Sequence, residues 1–343
     1  MAYNLWEEVS EIFLRIMAIE ASVIIPTYKR SELLSRCLFA VINQSINCDR
    51  YEIIVVTDGP DEESVEAVKA IQKKFNYCPS IECISLENKR GPAAARNAGW
   101  KIAKGELIIF TDDDCIPLFC WVENFIKSYR RINKTEIAFT GKIKVPIDER
   151  PTDHAKNTAR LENADFVTAN CACSKIALKK INGFDEDFTM AWREDSALEF
   201  DLFEENIPIK KVNEAVIVHP VRKAPWGISI KEQKKSMFNP LLYKKHPVLY
   251  QQKIHNGPPW YYYGIIFFVV SALISATYQN KTIMHFSFLG CVGLVIWFMC
   301  KRLTGASLKL SHVLEMFVTS FIIPFLSVFW TLYGAIRYKI FFV

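Results

Sequence analysis

The last third of the chain contains three long runs without acidic or basic side chains other than one histidine, and these runs favour membrane helices. The runs are the 24 positions 257–280, the 19 positions 282–300 and the 21 positions 316–336. A helix of about 20 apolar residues crosses the hydrocarbon core of a bilayer. Backbone groups in lipid must pair internally, so such runs form helices. Two or three transmembrane helices are predicted, near residues 261–279, 283–300 and 314–336.

The charges beside these runs predict their orientation. Residues 221–253 contain eight basic side chains and one acidic side chain. A basic segment next to a span belongs on the cytoplasmic side and attracts anionic headgroups. Further basic residues follow the second run at Lys301, Arg302 and Lys309, and the third run at Arg337 and Lys339. The last pair violates the charge rule if all three runs cross; otherwise one run lies in the interface, and both alternatives stay open.

Before residue 220, short apolar runs alternate with helix-like stretches. The predicted strands are 21–25, 51–57, 81–86 and 106–111. The predicted helices between them are 31–43, 61–76 and 92–103. Ser31 and Asp61 suit helix caps, and Pro92 suits a first helical turn. This alternation predicts βαβ units and an α/β fold with a mostly parallel sheet.

Polar residues stand at the ends of three of these strands. They are Pro26, Thr27 and Tyr28 after the first strand, Asp58 after the second, and the triplet Asp112, Asp113 and Asp114 after the fourth. Ligands of open parallel sheets bind beyond the carboxyl ends of the strands, so these groups are expected at one edge. Adjacent carboxylates repel one another unless a cation neutralises them, and Mg²⁺ and Mn²⁺ accept oxygen ligands. The triplet therefore predicts a divalent-cation site, with a solvated acidic turn as the alternative.

Six segments between residues 20 and 220 form a set that occurs in one order. They are Ser22–Arg30, Glu52–Gly59, Gly91–Gly99, Phe110–Asp114, Asn182–Phe188 and Trp192–Asp195. Together these segments resemble the motifs of the family 2 glycosyltransferases. The resemblance implies a GT-A fold, which is a Rossmann-like sheet flanked by helices. It also implies a nucleotide-sugar donor, a divalent cation (Mn²⁺ or Mg²⁺) and inversion at the anomeric carbon.

On this resemblance, the donor binds at the strand ends. The predicted nucleotide-sugar-binding residues are Pro26, Thr27, Tyr28, Asp58, Arg90, Asp112 and Asp113. Asp58 can accept a hydrogen bond from a nucleobase N–H, and Tyr28 offers a flat face for stacking. Arg90 can reach the diphosphate through charge-assisted hydrogen bonds. The alternatives are turn chemistry for Asp58 and a solvated loop charge for Arg90.

The metal and acceptor sides are assigned in the same way. Asp114, Asp112 and His219 are the predicted metal ligands, and imidazole suits Mn²⁺ better than Mg²⁺. Asp195 is the predicted general base that takes the proton of the acceptor hydroxyl, with Glu194 as the second candidate. Trp192 is predicted to line one side of the acceptor pocket. A helix cap is the alternative for Asp195, and a structural histidine is the alternative for His219.

The predicted domain organisation has four parts. These are an amphipathic helix in 1–20, a GT-A domain in 21–220, a basic juxtamembrane segment in 221–256 and a membrane anchor in 257–343. The apolar spacing within 1–16 suggests the first of these, although those residues need not be native. The ten cysteines contain no CxxC pair, and reduced thiols are the simplest prediction.

These observations together predict a membrane-anchored inverting hexosyltransferase. It would transfer a single sugar from a nucleotide sugar, with UDP-sugars favoured, to a hydroxyl of a lipid-linked or cell-envelope glycan acceptor. The catalytic domain is expected on the cytoplasmic face of the inner (plasma) membrane, with several passes through that membrane. The net charge of +5 comes largely from the segment beside the membrane, so it indicates lipid headgroups and no nucleic acid.

Two other enzyme classes fit the sequence less well than this one. Processive polysaccharide synthases of the same family usually carry a Gln-x-x-Arg-Trp motif before their membrane helices, and Gln233–Met237 lacks the Arg and the Trp. A sugar-phosphate nucleotidyltransferase would carry a glycine-rich loop after the first strand, and Pro26–Arg30 contains no glycine. Both classes are therefore disfavoured by the sequence.

Overall fold

The chain forms two compact units. The computed structural model describes residues 19–132, 134–254 and 259–342. The first unit comprises the residues up to Pro146 together with Leu161–Pro220, and the second comprises Ile147–Arg160 together with Val221–Val343. The predicted amphipathic helix in 1–20 falls almost entirely outside the described residues.

In the described part of the first unit, eight strands form one sheet. The strands are β1 Ala21–Thr27, β2 Tyr51–Thr57, β3 Ser80–Ser85, β4 Leu107–Thr111, β5 Ile116–Pro117, β6 Ala138–Lys144, β7 Asn170–Ser174 and β8 Ile209–Val218. Their order across the sheet is β3-β2-β1-β4-β7-β6-β8-β5. The pairs from β3 to β4 and the pair β6–β8 are parallel, and β7 and β5 pair antiparallel with their neighbours. The predicted α/β fold is confirmed, and its sheet is mixed.

The helices alternate with the strands in the first unit and dominate the second. Those up to residue 204 are α1 Ser31–Ile42, α2 Glu62–Lys74, α3 Pro92–Ile102, α4 Trp121–Arg131, α5 Asp153–Ala159, α6 Lys175–Lys180 and α7 Glu194–Glu204. Those that follow are α8 Ile228–Glu232, α9 Phe238–Lys245, α10 Pro247–Lys253, α11 Trp260–Thr277, α12 Lys281–Leu303 and α13 Leu310–Arg337. Helix α5 belongs to the second unit.

The predicted elements up to β4 agree with the structure to within a few residues. Two of the predicted helix starts are also confirmed. The Asp61 side chain accepts a hydrogen bond from the backbone N–H of Ser64 at 3.2 Å, and Pro92 is the first residue of α3. The cap predicted at Ser31 is wrong, because Ser31 is already the first residue of α1 and its hydroxyl donates to Glu63 at 2.5 Å.

The strands that carry the predicted site are buried along their whole length. Every residue of β1, β2 and β4 is buried, including the large side chains Ile24, Ile54 and Phe110. Near-continuous apolar runs are typical of parallel strands that are covered on both faces. Each side chain of this size contributes roughly 1.5–3 kcal/mol on burial. The register is therefore strongly specified, and it places Thr27 opposite Thr57.

One pair of cysteines departs from the expectation of reduced thiols. Cys48 and Cys78 form a disulfide with their Cα atoms 5.5 Å apart. The bond links the short helical turn before β2 to the turn that follows α2. Reduced thiols are therefore not a correct description of these two residues.

Three helices of the second unit are long and apolar enough to cross a bilayer, by length and composition. They are α11, α12 and α13, with mean hydropathies of 1.5, 2.0 and 1.9 over their most apolar windows. Residues 147–160, assigned above to the catalytic domain, group with these helices. One reason is the buried ion pair between Asp153 and Arg302, with an N–O distance of 2.8 Å.

Replacing the cap of α2 tests how β1 and α2 are joined. Asp61 accepts hydrogen bonds from the N–H groups of Ser64 and Lys29. Because an N-cap is worth about 0.5–2 kcal/mol and about 1 kcal/mol shifts the midpoint of a domain this size by roughly 2–4 °C, we expect Asp61→Ala to lower the thermal midpoint by several degrees. Asp61→Asn, which keeps a capping oxygen, and Glu62→Ala, at the exposed neighbour, should shift it much less. Equal shifts for all three variants would contradict the assigned cap.

Candidate active site

Three neighbouring strands bring the predicted donor residues to one edge of the sheet. Strands β2, β1 and β4 are adjacent, and the N–H of Asp58 donates to the carbonyl oxygen of Thr27 at 2.9 Å. Asp112 follows the last residue of β4. Pro26 and Thr27 are the buried last residues of β1 rather than part of a loop. The structure thus groups the ends of these strands, as the parallel topology requires.

The middle carboxylate of the triplet is buried. Asp113 is 2% exposed, accepts a hydrogen bond from the Thr27 hydroxyl at 2.8 Å and pairs with Arg30 at 3.1 Å. Burial raises the pKa of Asp113 to about 6, and the Arg30 guanidinium opposes this rise. These contacts join the end of β1 to the end of β4, so Asp113 holds the edge of the sheet together.

Asp58 is held by the loop that precedes α3. Its carboxylate accepts hydrogen bonds from the backbone N–H of Arg90 at 2.7 Å and of Gly91 at 2.9 Å. Gly91 has a φ of +101°, and a Cβ there would lie 2.5 Å from the carbonyl oxygen of Thr189. A side chain at this position would therefore strain the loop and collide with Thr189. Asp58 fixes this loop at the edge of the sheet.

Aromatic and basic side chains surround the same edge. The Lys89 ammonium lies 4.2 Å from the ring centroid of Tyr28, in a cation–π contact. The Arg90 side chain is exposed and forms an ion pair with Glu186. Trp192, predicted to face the acceptor, is 41% exposed, and its ring lies 4.9 Å from the guanidinium carbon of Arg193. The faces of Tyr28 and Trp192 therefore each carry a cation.

The last carboxylate of the triplet lies beside a histidine and a thiol. The Oδ1 atom of Asp114 is 3.5 Å from Nε2 of His219 and 3.9 Å from Sγ of Cys115. All three residues are buried, and the ligand atoms lie within 4.8 Å of one another. The Nδ1 atom of His219 has no hydrogen-bond partner among the described residues, although buried groups of this kind are normally paired. This set of oxygen, sulfur and nitrogen atoms suits a divalent transition-metal ion.

A buried arginine joins the donor side to the acceptor side. Arg96, on α3, donates to Oδ1 of Asp112 at 2.7 Å and to Oε1 of Glu194 at 3.5 Å. Burial would lower the pKa of the Arg96 guanidinium, but the two carboxylates outweigh this effect and raise it. Arg96 thus forms a buried structural ion pair with these two carboxylates. Asp112 and Glu194 therefore lie on either side of one guanidinium.

The two acids predicted to serve as base begin helix α7. Arg193 precedes them with a left-handed φ of 74°, and Oδ1 of Asp195 accepts a hydrogen bond from the N–H of Ser196 at 2.7 Å. Burial, together with the charge of Asp195, raises the pKa of Glu194 to about 8, against the effect of Arg96. Burial also raises the pKa of Asp195. The pair therefore titrates nearer to neutrality than ordinary carboxylates, as is common for proton-transfer groups.

Some residues of this site were not predicted from the sequence. For Cys115, the only indication in the sequence was its position directly after the triplet. His219, which lies close to it in space, is more than 100 residues away in the sequence. Arg30 and Lys89 were also not predicted as site residues, although Arg30 ends the segment Ser22–Arg30 and Lys89 directly precedes Arg90. Asp112, predicted as a metal ligand, does not belong to the group formed by Asp114, Cys115 and His219 within the described chain.

Comparisons with known proteins find one enzyme family. The model of glycosyl transferase family 2 matches residues 22–198, just over half of the chain. A poly(ribitol-phosphate) beta-glucosyltransferase of Bacillus spizizenii is 40% identical over 93 residues, which are 27% of this chain and 14% of that protein. A dolichyl N-acetyl-alpha-D-glucosaminyl phosphate 3-beta-D-2,3-diacetamido-2,3-dideoxy-beta-D-glucuronosyltransferase of Methanococcus voltae is 31% identical over 120 residues, which are 35% and 37% of the two chains. The chain thus spans well under half of the length of these relatives.

A solved structure shares the fold over most of both chains. It is the mannosyltransferase PcManGT from Pyrobaculum calidifontis in complex with GDP-Man and Mn²⁺, with a TM-score of 0.53 and 16% identity. The superposition covers 92% of this chain and 87% of the other. Because the family model matches more than half of the chain, this chain belongs to glycosyl transferase family 2.

Proposed function

We propose that the protein is a membrane-anchored inverting glycosyltransferase. It transfers a single sugar from a nucleotide sugar to a hydroxyl of a lipid-linked or cell-envelope glycan. The contact of Arg96 with both Asp112 and Glu194 is the observation that carries this proposal. Arg96 brings Asp112, on the proposed donor side, close to Glu194, which begins α7 beside the proposed base. A donor and an acceptor bound on these two sides would therefore lie next to each other.

The donor is proposed to bind along the carboxyl ends of β1, β2 and β4. Asp58 holds the loop that contains Arg90, and the exposed Arg90 guanidinium is available to exchange Glu186 for a diphosphate. Tyr28 offers a ring face for the base if Lys89 moves aside or contacts the phosphates. UDP-sugars are favoured, and the GDP-mannose bound to the structural neighbour supports a nucleotide sugar in general.

The group of Asp114, Cys115 and His219 is proposed to hold a divalent cation. The three closely spaced ligand atoms, with Nε2 of His219 3.5 Å from Oδ1 of Asp114, support this fit. Mn²⁺ is the favoured ion over Mg²⁺, since Mg²⁺ prefers an all-oxygen shell. When bound, such an ion stabilises negative charge on the departing phosphates as a Lewis acid.

The α7 acids are proposed to activate the acceptor. Asp195 takes the proton of the acceptor hydroxyl while the oxygen of that hydroxyl attacks the anomeric carbon. The bond from that carbon to the phosphate oxygen breaks, and the nucleoside diphosphate leaves with the electron pair. A single displacement of this kind inverts the anomeric configuration. Trp192, exposed beside this helix, offers an apolar face to the acceptor sugar.

The acceptor is proposed to be a glycan that is attached to lipid or to the cell envelope. The long apolar helices support a membrane location, and the basic segment 221–253 supports a cytoplasmic position for the catalytic unit. The two relatives described above, a transferase for a dolichyl phosphate-linked sugar and one for poly(ribitol-phosphate), support an acceptor of this type.

Donor turnover tests the proposed reaction directly. Purified full-length protein with Mn²⁺ and a panel of UDP- and GDP-sugars should release a nucleoside diphosphate, faster when a lipid extract is added. Mass spectrometry of the product should show the addition of one sugar. A ladder of products would instead indicate a processive synthase. Release of pyrophosphate from a nucleoside triphosphate would indicate a nucleotidyltransferase, and no turnover of any of these donors would contradict the proposed reaction.

Removing either of two metal-site side chains should weaken metal binding. We expect Asp114→Ala and His219→Ala each to weaken Mn²⁺ binding, measured by electron paramagnetic resonance of the free ion, by at least about tenfold. Metal-dependent donor binding should be lost with it. Glu123→Gln, which removes a surface carboxylate paired with Lys127, is the matched control and should bind Mn²⁺ normally. Normal binding in Asp114→Ala would refute the site.

Substitutions of the two α7 acids should have different effects on activity and on its pH dependence. Asp195→Asn should keep donor affinity but lower kcat by about 10²–10⁴-fold, because the proton acceptor is lost. A base must be ionised, so activity rises with pH through its pKa. Because burial and the charge of Asp195 raise the pKa of Glu194 to about 8, the Glu194 carboxyl is still protonated at the pH where Asp195 ionises, so Glu194→Gln should leave the acidic limb of kcat/KM in place. A limb that shifts in Glu194→Gln, or equal loss of donor affinity in both variants, would argue against these roles.

A further inference from the structure

Helix α13 is accompanied along nearly its whole length by the basic segment that precedes the membrane helices. At its beginning, the indole N–H of Trp226 donates to the carbonyl oxygen of Ser311 at 3.4 Å. One turn later, the backbone N–H of Gly227 donates to the Glu315 carboxylate at 2.7 Å. The start of α13 is therefore fixed to the start of this segment.

The same segment also contacts the far end of α13. The Lys234 ammonium lies 5.5 Å from the ring centroid of Trp330. Gly334 packs so tightly on the backbone of Met237 that an added Cβ would lie 2.3 Å from its carbonyl oxygen. The Lys244 ammonium donates to the carbonyl oxygen of Tyr338 at 2.8 Å. Residues 226–244 therefore run in the same direction as α13, from its first turn to its last.

These contacts cover a length comparable to a membrane core. Glu315 and Tyr338 are 23 positions apart, which corresponds to about 35 Å of helix at about 1.5 Å per residue. The hydrocarbon core of a bilayer is about 30 Å thick. If α13 crossed the bilayer, residues 226–244 would have to cross it alongside.

The composition of this segment forbids that arrangement. Its charged residues are Lys231, Glu232, Lys234, Lys235 and Lys244, and the ammonium group of Lys235 pairs with Glu232. Lys231, Lys234 and Lys244 are exposed. Ionised side chains are rare in the hydrocarbon core and face a protein interior or water when they occur there. Exposed lysines beside α13 therefore place that helix at the membrane surface.

A buried polar cluster about one third of the way along α13 agrees with this position. Arg302 donates to the hydroxyl groups of Thr319 at 2.6 Å and Ser320 at 3.2 Å. It also donates to the Asp153 carboxylate at 2.8 Å and to the Ser229 hydroxyl at 3.2 Å. In a spanning helix, this ion pair would lie well inside the hydrocarbon core.

The opposite face of α13 is apolar over its whole length. Its exposed apolar side chains recur at helical spacing at Leu310, Leu314, Phe317, Phe321, Phe329, Leu332 and Ile336. A helix with a continuous apolar stripe on one side and basic groups on the other lies in the membrane interface, with the stripe at the boundary of headgroups and acyl chains.

We propose that α13 is an interfacial helix and that only the α11–α12 hairpin crosses the bilayer. The partner of α13 is a membrane surface with anionic headgroups. The lysines of residues 226–245 attract these headgroups. This inference rests on the proposed membrane anchoring and is independent of the transfer chemistry. It also places Arg337 and Lys339 on the same side as the basic segment, so the charge rule holds for all three helices.

The topology can be mapped on the full chain with single cysteines. Cys120→Ser and Cys300→Ser remove the exposed free thiols. Lys245→Cys, Gln279→Cys and Lys339→Cys are then labelled with a membrane-impermeant maleimide in spheroplasts and in inside-out vesicles. We expect positions 245 and 339 to react from one side and position 279 to react only from the other.

Each alternative result overturns the proposal in a recognisable way. Reaction of positions 245 and 339 from opposite sides would show that α13 spans. Reaction of all three positions from one side would show that the hairpin does not cross. Release of the protein by carbonate extraction would refute the anchoring itself, and nucleoside diphosphate release measured on the same sample would show whether the proposed reaction survives.

Depth measurements provide a second test. Nitroxide labels on Leu314→Cys, Phe321→Cys and Leu332→Cys should show similar, shallow depths in vesicles that contain anionic lipid. The matched control is α12, where labels on Ile283→Cys, Leu289→Cys and Ile296→Cys should pass through a maximum near the bilayer centre. A maximum of depth within α13 would overturn the proposal.

Discussion

The buried guanidinium of Arg96 determines how the two halves of the proposed site are spaced. A buried charge is tolerated only when it is paired and hydrogen-bonded. Here the partners are Asp112 at the end of β4 and Glu194 at the start of α7. Because the guanidinium is a rigid planar fork, it fixes where these two carboxylates lie relative to each other. The edge of the sheet and the helix that carries the proposed base are therefore held by one side chain.

Each carboxylate at this edge has a different counterpart in the protein, and the difference gives each a separate use. The counterparts are Arg30 for Asp113, backbone N–H groups for Asp58, Arg96 for Asp112, and His219 with Cys115 for Asp114. Imidazole and thiol groups are metal ligands, whereas guanidinium and backbone N–H groups can only donate. The proposed place for a cation among the four acids rests on this difference and not on the acidic triplet itself.

The sequence was informative where the chemistry is local and uninformative where it depends on distant segments. Apolar periodicity located β1 to β4 and α1 to α3, and the polar strand ends grouped as predicted because parallel strands share an edge. The second contact of Arg96, with Glu194, joins residues 98 apart and has no local signal. The Cys48–Cys78 disulfide and the antiparallel strands β5 and β7 depend in the same way on how later segments return to the sheet.

The membrane unit shows why apolar length alone does not define a span. Helix α13 is nearly as apolar as α12 and longer than it, so hydropathy gives both the same interpretation. What distinguishes them is the surface that packs against them. In a spanning α13, burying Lys231, Lys234 and Lys235 in the hydrocarbon core would cost up to about 2.5–3.5 kcal/mol each. At the membrane surface these lysines contact the headgroups instead, and the apolar side chains of α13 are still removed from water. The lower free energy of that arrangement follows from the neighbours of the helix and could not be obtained from its own sequence.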